Sequence, residues 1–268
     1  MTIAKIIIPK VKLFPLDYIV PENIQEGQLV IVNFRGEEIV GIVVEKNIQS
    51  EVKKLKSIVK ILEPEIILDK TLILFLQKAA EYYMTEIGSI TKLALPINLA
   101  EGTVKYIDQK FDNVKLPDLV TAQQDALEKI QKAHVSVLYG VTGSGKTEVY
   151  FHLMNKYIEE GKQALFMLPE IALSKQMITR FEERFGTKAV IWNSSVTPAQ
   201  KRHILRSIMA GTVKLIIGAR SSLFLPYKNL GCIIVDEEHD VSYKQDDNIL
   251  YNARDMAVLR GHLSRIPI

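Results

Sequence analysis

Residues 140–147, GVTGSGKT, decide how the second half of this chain is interpreted. They have the GxxxxGK[ST] pattern, in which glycines let backbone N–H groups close around phosphate oxygens at a helix start. An apolar segment at residues 135–139 precedes the loop, and a strand there with a helix afterwards is the required context. The pattern predicts a nucleotide-binding loop formed by Gly140, Thr142, Gly143, Ser144, Gly145, Lys146 and Thr147. In it, Lys146 would reach the β- and γ-phosphates, and the Thr147 hydroxyl would bind Mg²⁺.

A second chemical signature lies at residues 232–239, CIIVDEEH, where an apolar strand ends in a carboxylate cluster. In P-loop enzymes an acidic residue at such a strand end holds Mg²⁺, and Asp236 is the candidate. Glu237 is the candidate general base or water-positioning residue for attack on the γ-phosphate. An acidic strand end by itself is more often a solvated loop, but its place after a P-loop favours the catalytic interpretation.

The chain from about residue 119 alternates between apolar strands and amphipathic helices. Strands are predicted at 135–139, 164–168, 189–192, 214–217 and 232–235, and helices at 170–185 and 198–209. This alternation is typical of an α/β fold with a mostly parallel sheet.

The beginning of the chain has a different pattern, which is rich in β-branched residues. Strands are predicted at 4–8, 28–34, 38–45 and 55–62, with a hairpin turn at residues 35–37. The period then changes, because Leu72, Phe75, Leu76, Ala79, Ala80 and Tyr83 share one helical face. A second short helix is predicted before Pro96. We therefore divide the chain into a β-rich domain at 1–100, a linker at 101–118 and an α/β domain at 119–268.

Composition narrows the class of protein without identifying it. The chain has 268 residues, 47% of them hydrophobic, and a formal net charge of +3, which permits DNA binding but does not argue for it. Cys232 is the single cysteine, so an internal disulfide and a four-cysteine zinc site are excluded in this chain. No apolar run has membrane-spanning length and no secretory signal precedes the first strand, so we expect no membrane association and a cytoplasmic location.

Several segments are more specific than the P-loop, and together they resemble one family. The DEEH box resembles the DExH helicases of superfamily two. The chain resembles the PriA family of bacterial replication-restart helicases, also called primosomal protein N-prime, over nearly its whole length. The segments that carry this resemblance are PLDY (15–18), GIVV (41–44), TEVY (147–150), LPEI (168–171), GARSSLFLPYKNL (218–230), DEEHDVSYKQ (236–245) and YNARD (251–255).

The resemblance implies roles for further residues of the second half. Gln124, ahead of the P-loop, matches a glutamine that reads adenine, and His239 matches the histidine that couples the nucleotide site to DNA. Arg220 and Ser221 match contacts to the backbone of single-stranded DNA. The loop with Tyr243 and Lys244 resembles an aromatic-rich loop that couples DNA binding to hydrolysis. From the residues alone, Arg220 is a solvated surface charge and Tyr243 a packing residue.

In the first half, the resemblance implies a small domain that captures the 3′ end of a nascent leading strand. Asp17 matches its base-contacting aspartate, Leu16 and Tyr18 flank that aspartate, and Lys56 matches a lysine of the same pocket. From the residues alone, Asp17 is a turn residue and Lys56 a surface charge.

The implied fold is a small β-rich DNA-binding domain followed by an incomplete RecA-like P-loop helicase lobe. The implied function is that of the N-terminal part of an ATP-dependent 3′-to-5′ DNA helicase, which recognises stalled forks and initiates primosome assembly and replication restart. ATP and Mg²⁺ are the implied cofactors. The implied partners are forked and single-stranded DNA with a 3′ end, single-strand-binding protein and primosome loading proteins.

The sequence also departs from the family pattern. The linker is too short for the family's winged-helix domain, and the chain stops before the Ser-Ala-Thr motif. Zinc is therefore expected only in the missing C-terminal part, and hydrolysis by this chain alone is expected to be weak or absent. Locally, Asn193 and Asn252 stand where the family has histidine, and Ile249 or Leu250 stands where it has tryptophan.

Two alternatives to a working helicase remain at this point. One is an isolated fragment that binds DNA ends and nucleotide without helicase activity. The other is a P-loop enzyme that never touches DNA, since a P-loop alone does not choose a substrate.

Overall fold

The first part of the computed structural model is a six-stranded sheet; the structure describes residues 2–10, 12–96, 99, 105–141, 143–247 and 249–268. The strands are β1 (Thr2–Ile7), β2 (Leu16–Val20), β3 (Gln28–Phe34), β4 (Glu37–Lys46), β5 (Lys56–Ser57) and β6 (Lys60–Ile67). They lie in the order β5-β2-β1-β4-β3-β6, and only the β2–β5 pair is parallel. The predicted strand 55–62 is thus divided between the two edges of the sheet.

Alternation of side chains explains why this sheet has two buried faces. Val30 and Val32 of β3 join one apolar cluster, whereas Leu29 and Ile31 join another. The predicted hairpin between β3 and β4 is confirmed. Its two-residue turn has positive φ at Arg35 (54°) and at Gly36 (90°), which matches the twist of the flanking strands.

Two helices follow the sheet, α1 (Lys70–Tyr82) and α2 (Ile87–Ala94). Asp69 starts α1, since its side chain accepts a hydrogen bond from the Thr71 N–H at 3.0 Å. The apolar face predicted from the sequence is the face that α1 buries. The helix prediction for this segment is therefore confirmed.

The second part alternates between helices and strands. Its helices are α3 (Thr121–Gln131), α4 (Lys146–Glu159), α5 (Lys175–Phe185), α6 (Pro198–Ala210) and α7 (Ala253–Ser264). Its strands are β7 (Gln163–Met167), β8 (Val190–Trp192), β9 (Leu215–Gly218), β10 (Leu230–Val235), β11 (Lys244–Gln245) and β12 (Tyr251–Asn252). Short 3₁₀ turns lie at Glu170–Ala172, Arg220–Phe224 and Val241–Tyr243.

A parallel sheet in the order β10-β7-β9-β8 forms the centre of this part. Successive residues of β7 face opposite sides, because Leu165 and Met167 join one cluster while Ala164 and Phe166 join the other. Both faces are covered, as expected for a sheet with helical crossovers. The predicted α/β class is confirmed.

The predicted helix 170–185 starts later than the pattern indicated. A 3₁₀ turn occupies Glu170–Ala172, and α5 begins only at Lys175. The reason is Ser174, whose hydroxyl accepts from the Met177 N–H at 3.2 Å and caps the helix there.

The predicted strand 135–139 is wrong as a sheet strand. Val137 and Tyr139 are 81% and 95% exposed, and residues 137–139 make no backbone hydrogen bond to another segment of the described chain. The apolar composition of this segment predicted burial, but burial requires a neighbouring strand along its length.

Only the start of that segment is paired, and its partner is Ile268. The Ile268 N–H donates to His134 O at 2.9 Å, and the Ser136 N–H donates to Ile268 O at 2.9 Å. This is the parallel bridge pattern. On the other side, the Ile233 N–H of β10 donates to Pro267 O at 3.1 Å, so residues 267–268 connect β10 to the segment before the P-loop.

The two parts of the chain share one hydrophobic core. Helix α1 packs against α7, and Phe75 of α1 lies 5.3 Å from Phe224, ring centre to ring centre. Arg260 of α7 is 3% exposed and lies between the rings of Phe75 and Tyr227. Its guanidinium donates to Leu223 O and Leu225 O, so this buried cation is held by carbonyl oxygens and aromatic faces.

The described part of the predicted linker, residues 105–118, has neither helix nor strand, yet it is firmly attached. Gln109 is 7% exposed and uses both ends of its amide. Its oxygen accepts from the Lys214 and Leu215 N–H groups, and its nitrogen donates to Lys188 O. This connection therefore behaves as part of the second domain rather than as a flexible tether.

Deleting Pro267 and Ile268 should free the segment before the P-loop. Loss of these backbone hydrogen bonds is expected to cost about 1–3 kcal/mol of unfolding free energy. Hydrogen exchange at the Ser136 and Ile233 amides should accelerate, which mass spectrometry of the deletion variant would measure. Ile268→Ala is the control because it retains the backbone. Unchanged exchange at Ser136 would contradict the pairing.

Candidate active site

The P-loop is shaped by two glycines with left-handed backbone angles. Gly143 and Gly145 have φ values of 81° and 80°, which other residues adopt only under strain. Gly145 is also the N-cap of α4, so the loop opens directly into a helix N-terminus. The end of a helix with free N–H groups attracts phosphate. Thr142, which the sequence placed in this loop, lies outside the described residues.

Lys146 is turned back into the loop. Its Nζ donates to Gly140 O at 2.6 Å and lies 3.4 Å from Val141 O. The ammonium therefore sits where the loop closes, and carbonyl oxygens of the loop occupy its hydrogen bonds. A bound phosphate would replace these carbonyls as the partner of Lys146.

The glutamine against the P-loop is Gln123, and sequence reasoning selected its neighbour Gln124. The Gln123 Nε2 donates to Ser144 O at 3.0 Å, and its Oε1 accepts from the Val120 N–H at 3.1 Å. Gln124 is exposed on α3. The helix turns about 100° per residue, so two adjacent glutamines cannot both face the loop. Only the register of α3 relative to the P-loop distinguishes them.

Asp236 follows β10 directly and lies at the carboxyl edge of the parallel sheet. Its N–H donates to Met167 O of β7 at 3.0 Å, which fixes its position relative to the neighbouring strand. Burial raises the pKa of the Asp236 carboxyl, and the charge of Glu237 raises it further, while Lys146 and the Tyr150 hydroxyl lower it. A half-buried carboxylate that a neighbouring carboxylate repels is stabilised by a bound cation.

The remaining residues of the acidic box point outward. Glu237 has a positive φ of 48°, which is uncommon for a residue with a side chain. Its Oε2 lies 3.6 Å from the His239 Nε2, and both side chains are largely exposed. The next residue, Glu238, accepts from Arg254 Nη1 at 3.2 Å. Sequence reasoning did not identify Arg254 or Tyr150 as residues of this site.

One cavity of about 490 Å³ brings the P-loop and the acidic box together. Its polar lining includes Gly140, Lys146, Tyr150, Asp236, Glu237, Glu238, His239 and Arg254. Apolar residues before the P-loop, such as Val135 and Leu138, form another part of the wall. A volume of this size suits a small-molecule ligand.

The carboxylates of this cavity do not by themselves form a metal centre in the described part of the chain. Within the described ranges, no group of three or more His, Cys, Asp and Glu side chains could hold a metal ion. Mg²⁺ commonly takes one or two protein ligands and completes its shell with phosphates and water. The Asp236 carboxylate and the Thr147 hydroxyl supply donors of that type.

The predicted DNA contacts of the second part are largely engaged within the protein. Arg220 Nη1 donates to Ser242 O and Lys244 O, both at 3.0 Å, and thereby holds the loop after the DEEH box. Ser221 Oγ accepts from the Trp192 indole at 3.2 Å. Tyr243 is 2% exposed, so its ring offers no face to a base in this structure. Lys244 is exposed, with Asp246 as its ion-pair partner.

Tyr243 has a structural position instead. Its hydroxyl donates to Asp236 O at 2.7 Å and to Met167 O at 3.1 Å. The ring therefore ties the loop after the acidic box to the ends of β7 and β10. In this structure Tyr243 is a packing residue, which is the interpretation that the residues alone favoured.

In the first part, Asp17 lies in a small polar cluster on β2. Its two carboxylate oxygens contact Lys5 Nζ at 3.2 Å and Ser50 Oγ at 2.6 Å. Lys5 stands directly opposite Asp17 in the β1–β2 register, so a pairing diagram from the sequence could have found it. Ser50 is distant in the chain, and no local pattern marks it.

The other predicted residues of this region surround Asp17 in different ways. Tyr18 is buried and pairs across β2–β5 with Lys56, whose side chain is exposed. Leu16 is half-buried at the start of β2. Asp17 and Lys56 thus lie on neighbouring strands, but the register pairs Lys56 with Tyr18, which faces the opposite side of the sheet from Asp17.

Comparison with known proteins agrees with both halves of this arrangement. Residues 120–264 match the DEAD/DEAH box helicases. The chain belongs to the DEAD/DEAH box helicase family. Residues 5–96 match a 3′DNA-binding domain, which is described for PriA.

Similar proteins carry the name replication restart protein PriA. One from Rickettsia felis is 52% identical over 100% of this chain and 42% of its own length. One from Helicobacter pylori is 36% identical over 92% of this chain and 39% of its own length. One from Bacillus subtilis is 38% identical over 61% of this chain and 21% of its own length. This helicase chain therefore spans about two fifths of the first two relatives.

None of the described helices has both the length and the apolar character that crossing a membrane requires.

An ion-pair cluster joins the P-loop helix of this helicase to α5. Glu148, in the first turn of α4, accepts from Arg180 Nη2 at 2.8 Å and from Arg184 Nη2 at 3.0 Å. Burial alone would raise the pKa of Glu148, but hydrogen bonds and charges from Arg184 and Arg180 outweigh it and lower the pKa. The cluster fixes α5 against the helix that carries Lys146.

Glu148→Gln should destabilise the protein in a pH-dependent way. Because the pKa of Glu148 is lower in the folded than in the unfolded state, its stabilising contribution exists above the unfolded pKa. That contribution is lost as the pH falls through the folded pKa. At pH 7 we expect a loss of about 1–2 kcal/mol, since both arginines are partly exposed.

Urea unfolding of both proteins between pH 7 and pH 3 measures this effect. Glu183→Gln, which removes an exposed carboxylate from α5, is the control. A difference between Glu148→Gln and the unsubstituted chain that stays constant across this range would contradict the assignment.

Proposed function

We propose that this chain binds Mg·ATP and DNA 3′ ends as part of a helicase that restarts stalled replication forks. The observation that carries the nucleotide half is a cavity whose lining includes Lys146, Asp236 and Glu237. The DNA half is supported by the match of residues 5–96 to a 3′DNA-binding domain and by the polar cluster around Asp17.

In this proposal each residue of the nucleotide site has a defined task. Lys146 exchanges its bond to Gly140 O for the β- and γ-phosphates. Thr147 and Asp236 would hold Mg²⁺, and the ion would neutralise charge on the phosphates. Glu237 orients the attacking water and accepts its proton. His239, beside Glu237, connects the site to DNA.

For the adenine, the contacts support Gln123 rather than Gln124. Gln123 already lies at the P-loop through Ser144 O, whereas Gln124 points to solvent. A carboxamide offers a donor and an acceptor together, which is what recognition of adenine requires. We therefore assign the base-reading role to Gln123.

On the DNA side, Asp17 would accept a hydrogen bond from the terminal base, with Lys56 nearby for phosphate. Arg220, Ser221, Lys244 and the loop around Tyr243 would form the single-strand path of the helicase lobe. We further propose 3′-to-5′ translocation, forked DNA as the substrate, and single-strand-binding protein and primosome loading proteins as partners, in the cytoplasm. These proposals follow from the similarity to PriA proteins.

Lys146→Ala tests the nucleotide site. Removal of one charge-assisted contact to phosphate is expected to weaken Mg·ATP binding about tenfold to a hundredfold. Fluorescence anisotropy with a labelled ATP analogue measures this affinity and does not require ATP hydrolysis. Lys129→Ala removes an exposed lysine from α3 and should have no effect. Equal affinity of Lys146→Ala and the unsubstituted chain would disprove the site.

Asp17→Asn tests the DNA-end site. The unsubstituted chain should prefer single strands with a free 3′ hydroxyl over strands with a 3′ phosphate. The substitution should reduce this preference about tenfold, because a charged acceptor becomes a neutral amide. Phosphate contacts do not read the end, so affinity for the blocked strand should stay unchanged.

Glu45→Gln is the matched control, since it removes an exposed carboxylate opposite Lys5 on β4. Equal affinity of the unsubstituted chain for free and blocked ends would refute end capture.

One observation favours a second candidate, a module that binds DNA ends and nucleotide without hydrolysing ATP. Residues 137–139, which lead into the P-loop, are not held in the sheet of the described chain. A P-loop that is not held firmly can still bind nucleotide, but catalysis requires more exact positioning of the reacting groups and is lost first. Steady-state ATPase assays with and without forked DNA separate the two candidates, with Lys146→Ala as the blank.

A further inference from the structure

Tyr83 reaches from the first part of the chain into the second. It is the C-cap residue of α1, within the segment that matches the 3′DNA-binding domain. Its hydroxyl accepts a hydrogen bond from the Asn252 N–H at 2.8 Å. Tyr82, the preceding residue, is 65% exposed and only packs edge-on against the Tyr83 ring.

Asn252 links the Tyr83 hydroxyl to the start of α7. It is the last residue of β12 and the N-cap of α7, and its side chain accepts from the Arg254 N–H at 3.0 Å. An N-cap fixes where a helix begins and how its first turn is oriented. The Tyr83 hydroxyl therefore holds the backbone of the residue that sets the position of Arg254.

Arg254 lies at the acidic box. Its Nη1 contacts Glu238 Oε2 at 3.2 Å, its Nε contacts Asp255 Oδ1 at 3.1 Å, and its side chain lines the cavity that contains Lys146. Arg254 and Glu238 are each about half exposed, at 46% and 47% of the side chain. Such pairs add little to folding stability. The contribution of this ion pair is therefore to fix the positions of the Arg254 guanidinium and the Glu238 carboxylate in the site.

We propose that Tyr83 is a positioning residue for Arg254, so that the DNA-end-binding part of the chain orders one side of the nucleotide cavity. This inference rests on the proposed nucleotide function of the cavity. Arg254 adds a second cation to the cavity that Lys146 also lines, and it holds Glu238 next to Glu237 in the acidic box. The planar guanidinium of Arg254 has fixed donors and binds the carboxylates of Glu238 and Asp255 at once. A lysine would do this less well.

The contact chain can be tested without nucleotide. Hydrogen exchange in Tyr83→Phe should be about tenfold faster at residues 251–256, where a hydrogen bond to Asn252 N–H is lost. It should be about twofold to threefold faster at residues 237–240, because Arg254 would no longer be oriented towards Glu238. Arg254→Ala should accelerate exchange at 237–240 only. Tyr82→Phe, the matched control, should change neither region. Faster exchange in Tyr83→Phe confined to 251–256 would overturn the proposal.

A double-mutant cycle on Mg·ATP affinity tests the consequence for the site. Tyr83→Phe should weaken binding of a labelled ATP analogue about threefold, and Arg254→Ala about tenfold. In the Arg254→Ala background, Tyr83→Phe should have no further effect, since its only route to the nucleotide is gone. Arg254→Lys should recover part of the affinity.

The outcomes separate this inference from the proposed function. An equal effect of Tyr83→Phe in both backgrounds would mean that it acts through general stability, and the proposal would fail. If the unsubstituted chain does not bind Mg·ATP, the proposed function fails, while the exchange experiment still decides whether Tyr83 positions Arg254.

Discussion

The burial of Arg260 is the constraint on which the arrangement of the two parts depends. Burial lowers its pKa to about 10, so the guanidinium remains charged at neutral pH inside an apolar core. A charge in such a place must be surrounded by oxygen acceptors and ring faces, or the core would open. Leu223 and Leu225 supply the carbonyls, and Phe75 and Tyr227 supply the rings. Leu223, Leu225 and Tyr227 belong to the same part as Arg260, and Phe75 is contributed by α1. Docking of α1 therefore completes the surroundings of a cation that its own part already hydrogen-bonds.

This docking places the β-rich part next to the segments that follow β9 and precede α7. Phe224 contacts Phe75 on one side and Tyr251 on the other, at 5.3 Å and 5.0 Å between ring centres. Arg220 and Tyr243 tie the neighbouring loops by hydrogen bonds to backbone carbonyls. Arg220 and Tyr243, which the sequence suggested as DNA contacts, therefore bind other parts of the protein in this structure. Their hydrogen bonds hold the loops in one conformation.

The sequence predicted the chemical centres better than the contacts around them. The P-loop and the DEEH box are local patterns, so their identity and their meeting at one sheet edge followed from spacing and strand order. The choice between Gln123 and Gln124 depended on helix register, which composition does not determine. The strand prediction for Val135–Tyr139 was wrong because a strand needs a hydrogen-bonded neighbour along its length. Ile268 pairs with this segment no further than Ser136. The partners Ser50 and Arg254 come from distant segments, so no local motif marks them.

The attachment of Gln109 has a consequence for how such proteins vary. Three backbone positions of the lobe are bonded to this one amide, and Thr212 Oγ1 bonds to Ile107 O at 2.6 Å just before it. The lobe therefore fixes the chain from about Ile107 onward. Extra sequence ahead of Tyr106, which is 47% exposed, would leave these bonds to the lobe intact. A junction held in this way can take up added sequence on its upstream side, because the bonds that anchor the lobe all lie downstream of it.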